Sequence, residues 1–306
     1  MHNKSVAAGT GAGTLRAVRR TLLAGILGAA ALASMGGTLI PSAAHADGPD
    51  AAVAPASVAD IVKAKTNVAD RYAGYLAGTT SYKDLTTAEL ALETMTGEDI
   101  KGPAFEGKQR LAANYAPFRQ VTNYYCGPAT VQSILWYLGI RDEAGASNPA
   151  AAKGMTGRGD LDQRLLAAGS HLRTESGHGT DWGGIVPDTI NKWRGTRWYQ
   201  PFATANAGGT LHKDQAWRNI VYAVDHGYPV AANVLLSSST LLPTGFNPGM
   251  DYQHWETIVG YFEKDGVKYV KVGQVYGAEN LEYDPLQEIP WDTYWPAIGN
   301  HFGMVW

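Results

Sequence analysis

A single cysteine, Cys126, in 306 residues sets the first limit on how this chain can fold. No intramolecular disulfide can form, so the structure must be held by an apolar core of its own. Length and composition permit that, with 45% hydrophobic and 17% charged residues in the ordinary globular range. The 36 glycines point to a loop-rich domain.

The N-terminal stretch belongs to transport and not to the fold. Lys4, Arg16, Arg19 and Arg20 precede an apolar run from Leu22 to about Met35, no acidic residue occurs before Asp47, and Ala44-His45-Ala46 fits an A-x-A cleavage site. We read residues 1–46 as a signal peptide cleaved after Ala46, and the mature protein as secreted, with the export route left open by Arg19-Arg20. The apolar run is shorter than the roughly 20 residues a membrane span needs, so no stable membrane insertion is expected. Taking those four basic residues from the 25 leaves 21 against 28 acidic ones, a net charge of −7. That balance, without any Lys/Arg block interleaved with aromatics, argues against nucleic acid as a partner. An unpaired thiol in an exported protein is either buried and inert or kept for its reactivity.

Residues 47–104 read as a flexible N-terminus and a helical prelude. After the Ala- and Pro-rich residues 47–56, Ile61, Val62, Val68, Tyr72, Tyr75 and Leu76 recur at helical spacing and predict a helix over Val58 to Ala77 with Ser57 as its cap. A second helix is expected from Thr86 to Met95, ended by Gly97. From about 105 to 306 short apolar segments alternate with Gly, Pro, Asn and Ser, and we place the main domain there. Ala129, Val131, Ile134, Leu135 and Leu138 predict a helix that begins at Cys126 and stops before Gly139. Pro229 to Leu236, His254 to Phe262 and Val267 to Val275 read as strands, the last two joined by a turn at 263–266.

Cys126 therefore stands at a helix N-terminus, where unpaired N–H groups and the positive end of the helix dipole favour a thiolate. Gly127 lets a substrate carbonyl approach the backbone, and Pro128 suits the first helical turn because its missing N–H would be unpaired anyway. Six residues upstream, the side-chain amide of Gln120 is a candidate second donor to an oxyanion, beside the Cys126 N–H. The base must be a histidine, and six follow residue 46: His171, His178, His212, His226, His254 and His301. His254 opens an apolar strand and is presented from a rigid element, whereas His226 and His178 sit in turn and loop contexts and read as solvated. The histidines lack metal-ligand spacing, so no metal and no cofactor is expected. No G-x-S-x-G elbow offers a serine alternative. Of the 9 tryptophans, most should be core and a pair could line a groove, without the sequence selecting which.

The string Gln-x5-Cys-Gly-Pro-Ala at 120–129, the Gly227-Tyr228-Pro229-Val230 strand start and His254-Trp255 running to Gly260-Tyr261 resemble the double-glycine leader peptidases and their stand-alone relatives. These are cysteine peptidases of the papain-like clan, family thirty-nine, and the resemblance covers about 105 to 306. It implies an α+β, papain-like fold in which an N-terminal nucleophile helix packs on an antiparallel sheet, here preceded by a small helical segment. It further implies Cys126 as nucleophile, Gln120 as oxyanion residue, His254 as base, and a peptide or protein as substrate. The family's next strand ends in an Asp or Asn that orients the histidine; this chain has Gln274 there, whose amide oxygen can accept the imidazole N–H. Asp284-Pro285 requires a longer detour. The departure keeps two other readings open: a catalytically impaired peptide- or cell-wall-binding module on the same fold, or an acyltransferase. The sequence specifies neither substrate identity nor oligomeric state.

Overall fold

A computed structural model describes residues 55–103, 110–111, 115–144, 161–175, 178–238, 247, 249–276 and 285–306. The signal-peptide reading of residues 1–46 lies outside them, as does Asp284. Ala56–Trp306 forms one compact unit.

Helix α1 (Val58–Leu76) begins at a reciprocal cap: the Ser57 side chain accepts from the Asp60 N–H, and the Asp60 carboxylate accepts from the Ser57 N–H. Its buried residues Ile61, Lys65, Val68, Ala69 and Tyr72 follow the 3.6-residue period. Helix α2 (Tyr82–Thr96) starts four residues before the expected Thr86, because Ser81 caps it through the Asp84 N–H. It ends at Gly97, in the left-handed conformation with φ 70°.

The remaining elements are β1 (Arg110–Leu111), α3 (Cys126–Tyr137), α4 (Gln163–Ala167), α5 (Ile185–Arg194), β2 (Pro201–Ala203), α6 (Lys213–Asp225), β3 (Val230–Leu236), β4 (Tyr252–Lys264), β5 (Val267–Gly273), β6 (Leu286–Pro290), α7 (Trp291–Gly299) and β7 (Gly303–Val305). The strands form one antiparallel sheet in the order β2-β7-β3-β4-β5-β6, with β1 pairing with the far half of β4. Between β4 and β5 the two-residue turn Asp265-Gly266 has positive φ at both positions, 53° and 75°, the geometry that suits the twist of a hairpin. The expected hairpin is therefore present. Residues Cys126 to Leu135 of α3 are buried on every side, and the helix packs on β4 while α6 and α7 pack on β3 and β4 or β5. This is the α+β papain-like arrangement. Among the described residues no helix is long and apolar enough to cross a membrane.

The first two helices are welded to this sheet through buried polar contacts. The Lys65 ammonium, fully buried, donates to the carbonyls of Trp198 at 2.8 Å and Trp306 at 2.7 Å and lies over both indole rings. Tyr72 and Tyr261 both donate to the buried Asp225 carboxylate. His226, which its turn context makes solvated, is instead buried, with Nε2 3.2 Å from the Glu89 carboxylate of α2. Its burial comes from helices more than 100 residues away in the chain, which local turn signals do not report.

Candidate active site

Cys126 is the first residue of α3, and Tyr125 before it supplies no side-chain cap. The opening N–H groups are therefore left to the sulfur and to anything bound beside it. A Cβ on Gly127 would stand 2.2 Å from Thr180 Oγ1 and 2.5 Å from Thr180 Cβ. Glycine is needed there for the loop to close over the helix start, beyond any close approach of substrate. Gly127→Ala should push that loop outward and cost about 1–3 kcal/mol in thermal unfolding. Adding Thr180→Gly to the same chain should restore most of the loss.

The neighbouring strand is drawn to the helix by one residue's backbone. The Trp255 carbonyl accepts from Thr130 Oγ1 at 3.0 Å, and the Trp255 backbone N–H lies near enough to the Cys126 sulfur to favour its ionised form. Positions 126 and 130 share a helix face, so a single turn of α3 grips Trp255 above and below. The Trp255 indole N–H donates to the Thr180 carbonyl at 3.0 Å, and the ring stacks on Trp182 at 5.8 Å. His254, one residue before Trp255, thereby shares with Cys126 a cleft of about 380 Å³ including its open mouth. His178, Asp181, Trp182, Asn233 and Phe302 are among its walls. Trp182 and Trp255 are thus the tryptophans of the groove, and His178 is exposed as expected.

Register decides what His254 meets. Thr257 pairs with Gly273 and Ile258 with Val272, but Gly260 pairs with Lys271, so Val259 is an extra residue in β4. Continuing the pairing past the end of β5 sets Glu256 opposite Gln274 and His254 opposite Tyr276, whose rings lie 5.9 Å apart. Without the bulge Gln274 would turn to the other face of the sheet. With it, His254 Nε2 is 2.9 Å from Gln274 Oε1, and Gln274 Nε2 donates to Glu256 Oε2 at 2.9 Å. Because the amide nitrogen is committed to Glu256, its oxygen faces the ring, and His254 Nε2 must be the donor. Nδ1 is then the nitrogen left as a base.

Gln120 arrives by a separate tether. Its N–H donates to the Val275 carbonyl at 2.8 Å, next to Gln274, and the Gln274 N–H donates to the Pro285 carbonyl at 3.0 Å. Gln163 brackets it, donating to the Arg119 carbonyl at 2.8 Å and accepting from the Val121 N–H at 3.0 Å, and is itself tied to Gln132 of α3. The Gln120 side chain is buried with Oε1 unpartnered, and it does not line the cleft. The structure therefore sets Cys126 and His254 in one cleft, ties Gln274 to His254, and anchors Gln120 by its backbone to the residue after Gln274. Glu256 went unread in the sequence although His254-x-Glu256 alternates on an inward-facing strand, a usable signal. Gln163 left no signal, since its partners, the Arg119 and Val121 backbone and the Gln132 side chain, all lie more than 30 residues away in the chain.

A model of the Peptidase_C39 like family matches residues 112–301, more than half of the chain. The chain belongs to that family. No curated protein and no solved structure matches it. As a member of the Peptidase_C39 like family it is a cysteine peptidase-type protein, a class whose substrates are peptides.

Electrostatics give this family member an uncharged resting pair. Burial pushes the Cys126 thiol up to about 11, outweighing the N–H groups of Trp255, Gly127 and Cys126 that favour the thiolate, and the Glu256 carboxylate adds to the rise. Burial lowers His254 to about 4, against the raising effect of its bond to Gln274. The thiolate expected from the helix terminus is thus overridden by desolvation. Glu256 is raised to about 8 by burial, opposed by Tyr294 and Gln274. A carboxyl raised in the fold contributes stability below its unfolded value near 4.5 and loses it as pH rises through about 8. Unfolding of wild type and Glu256→Gln across pH should show the variant gaining on wild type by up to about 1.4 kcal/mol per pH unit between those limits. His254 works in the opposite sense below pH 6.5 and cancels from the comparison.

Proposed function

We propose that this chain is a secreted cysteine hydrolase that cleaves peptide or amide bonds. The observation that carries the reading is the lone Cys126 at the start of α3, sharing a cleft with a histidine whose Nε2 is already occupied by Gln274. As the sulfur attacks a carbonyl carbon, its proton passes to His254 Nδ1, and the Cys126 N–H takes the developing oxyanion. Gln120 serves as the second donor by rotating its amide from its buried position toward the sulfur. Collapse expels the amine with the proton from His254, and water then releases the acyl group by the same path in reverse. Concerted proton transfer suits a pair that is neutral at rest.

The test is profiling of purified residues 47–306 against a peptide library, with Cys126→Ala as control. Cleavage by the parent and none by the variant supports the reading; equal background from both sinks it. Gln274 in the orienting position favours a second reading, a peptide-binding module on the same fold, which predicts retained peptides without cleavage. N-terminal sequencing of the exported protein checks the start at Asp47.

A further inference from the structure

We propose that Glu256 is the positioning residue that makes a glutamine serviceable behind His254, completing a line of contacts His254–Gln274–Glu256. This rests on the reading of Cys126 and His254 as the reacting pair. A glutamine amide is ambiguous: rotated by half a turn about its last bond it offers N–H where it had offered oxygen. An amide nitrogen facing the ring would accept no proton and would favour the tautomer that protonates Nδ1, the atom needed as a base. Glu256 removes the ambiguity. Its Oε2 lies 2.9 Å from Gln274 Nε2 and acts as an acceptor there, so the amide oxygen is left for His254.

The carboxyl is built for this and for little else. It is 1% exposed, does not line the cleft, and belongs to the same strand face as His254, two residues away. Tyr294 of α7 closes the site on its other side, where the Glu256 Oε1 and Tyr294 hydroxyl complete no hydrogen bond of good geometry although they lie close enough to interact. The Val259 bulge that sets Gln274 on this face sets Glu256 directly opposite it. The strand end therefore carries an amide and a carboxyl as one orienting unit.

The experiment uses p-nitrophenyl acetate as acylating probe on the whole mature chain. Glu256→Leu, close in size and lacking an acceptor, should slow Cys126 acylation roughly 10- to 100-fold, the usual cost of losing an orienting partner one bond removed. Glu256→Gln keeps an acceptor but can also turn an N–H toward Gln274, so it should fall between wild type and Glu256→Leu, an ordering that mere space-filling would not produce. Nitrogen-15 spectra of labelled histidine should show His254 protonated at Nε2 in wild type and mixed tautomers in Glu256→Leu. A folded Glu256→Leu with wild-type acylation and tautomer overturns the proposal. If that variant does not fold, wild type decides: protonation at Nδ1 overturns the proposal, and protonation at Nε2 with slow exchange of the Gln274 side-chain amide supports it. Failure of the hydrolase reading looks different, since Cys126 would then be acylated no faster in wild type than background in Cys126→Ala.

Discussion

Cys126→Ala should lower acylation by p-nitrophenyl acetate and peptide cleavage by roughly 10⁴-fold or more while leaving the fold intact. Removing a nucleophile eliminates the covalent route outright, and residual turnover comes only from whatever oxyanion stabilisation and binding remain, so losses of this order are usual. Stability should move little, because the substitution deletes one sulfur beside Gly127 and Trp255 and also removes a thiol held well above its ordinary range. A change of about 1 kcal/mol in thermal unfolding is expected. Paired measurements of rate and melting temperature separate loss of chemistry from loss of structure. Equal rates for wild type and Cys126→Ala would mean that the cleft does not work through its cysteine.

Lys65→Ala should be the most damaging single change to stability, at about 3–5 kcal/mol, or roughly 10 °C in melting temperature for a domain of this size. The ammonium is fully buried, donates to the Trp198 and Trp306 carbonyls, and lies 3.7 Å from the centre of the Trp198 ring. Alanine takes this donor from the Trp198 carbonyl, leaves the Trp306 carbonyl with the Gln200 N–H, and opens a cavity between two indoles. Burial lowers the Lys65 ammonium well below its usual range, so desolvation already works against the charged form. Lys65→Met keeps most of the volume and should cost visibly less, which separates the packing loss from the hydrogen-bond loss. A melting temperature unchanged in Lys65→Ala would mean that α1 is not anchored through this residue.

Residues 58–76 read correctly as a helix because an apolar repeat and a Ser57 cap are local properties. Their attachment was not legible, since Lys65 meets Trp198 and Trp306 across 133 and 241 residues of chain. The sequence boundary near 105 follows a change in texture, whereas the packed unit begins at Ala56. His226 shows the same division: its turn was evident, and its burial against Glu89 was not.

At the cleft, sequence alone determined the pieces: Cys126 opening a helix, His254 on an apolar strand, a hairpin turning within 263–266 and the family these motifs mark. Periodicity and turn chemistry act over a few residues and are written in order along the chain. Tertiary structure decided how those pieces meet. The bulge at Val259 chooses the face on which Gln274 emerges, Trp255 draws the strand to α3, and burial outweighs the helix terminus in holding the thiol protonated. Each is an outcome of competition between distant segments for one position, and a strand register or a desolvation cost exists only once those segments are packed together.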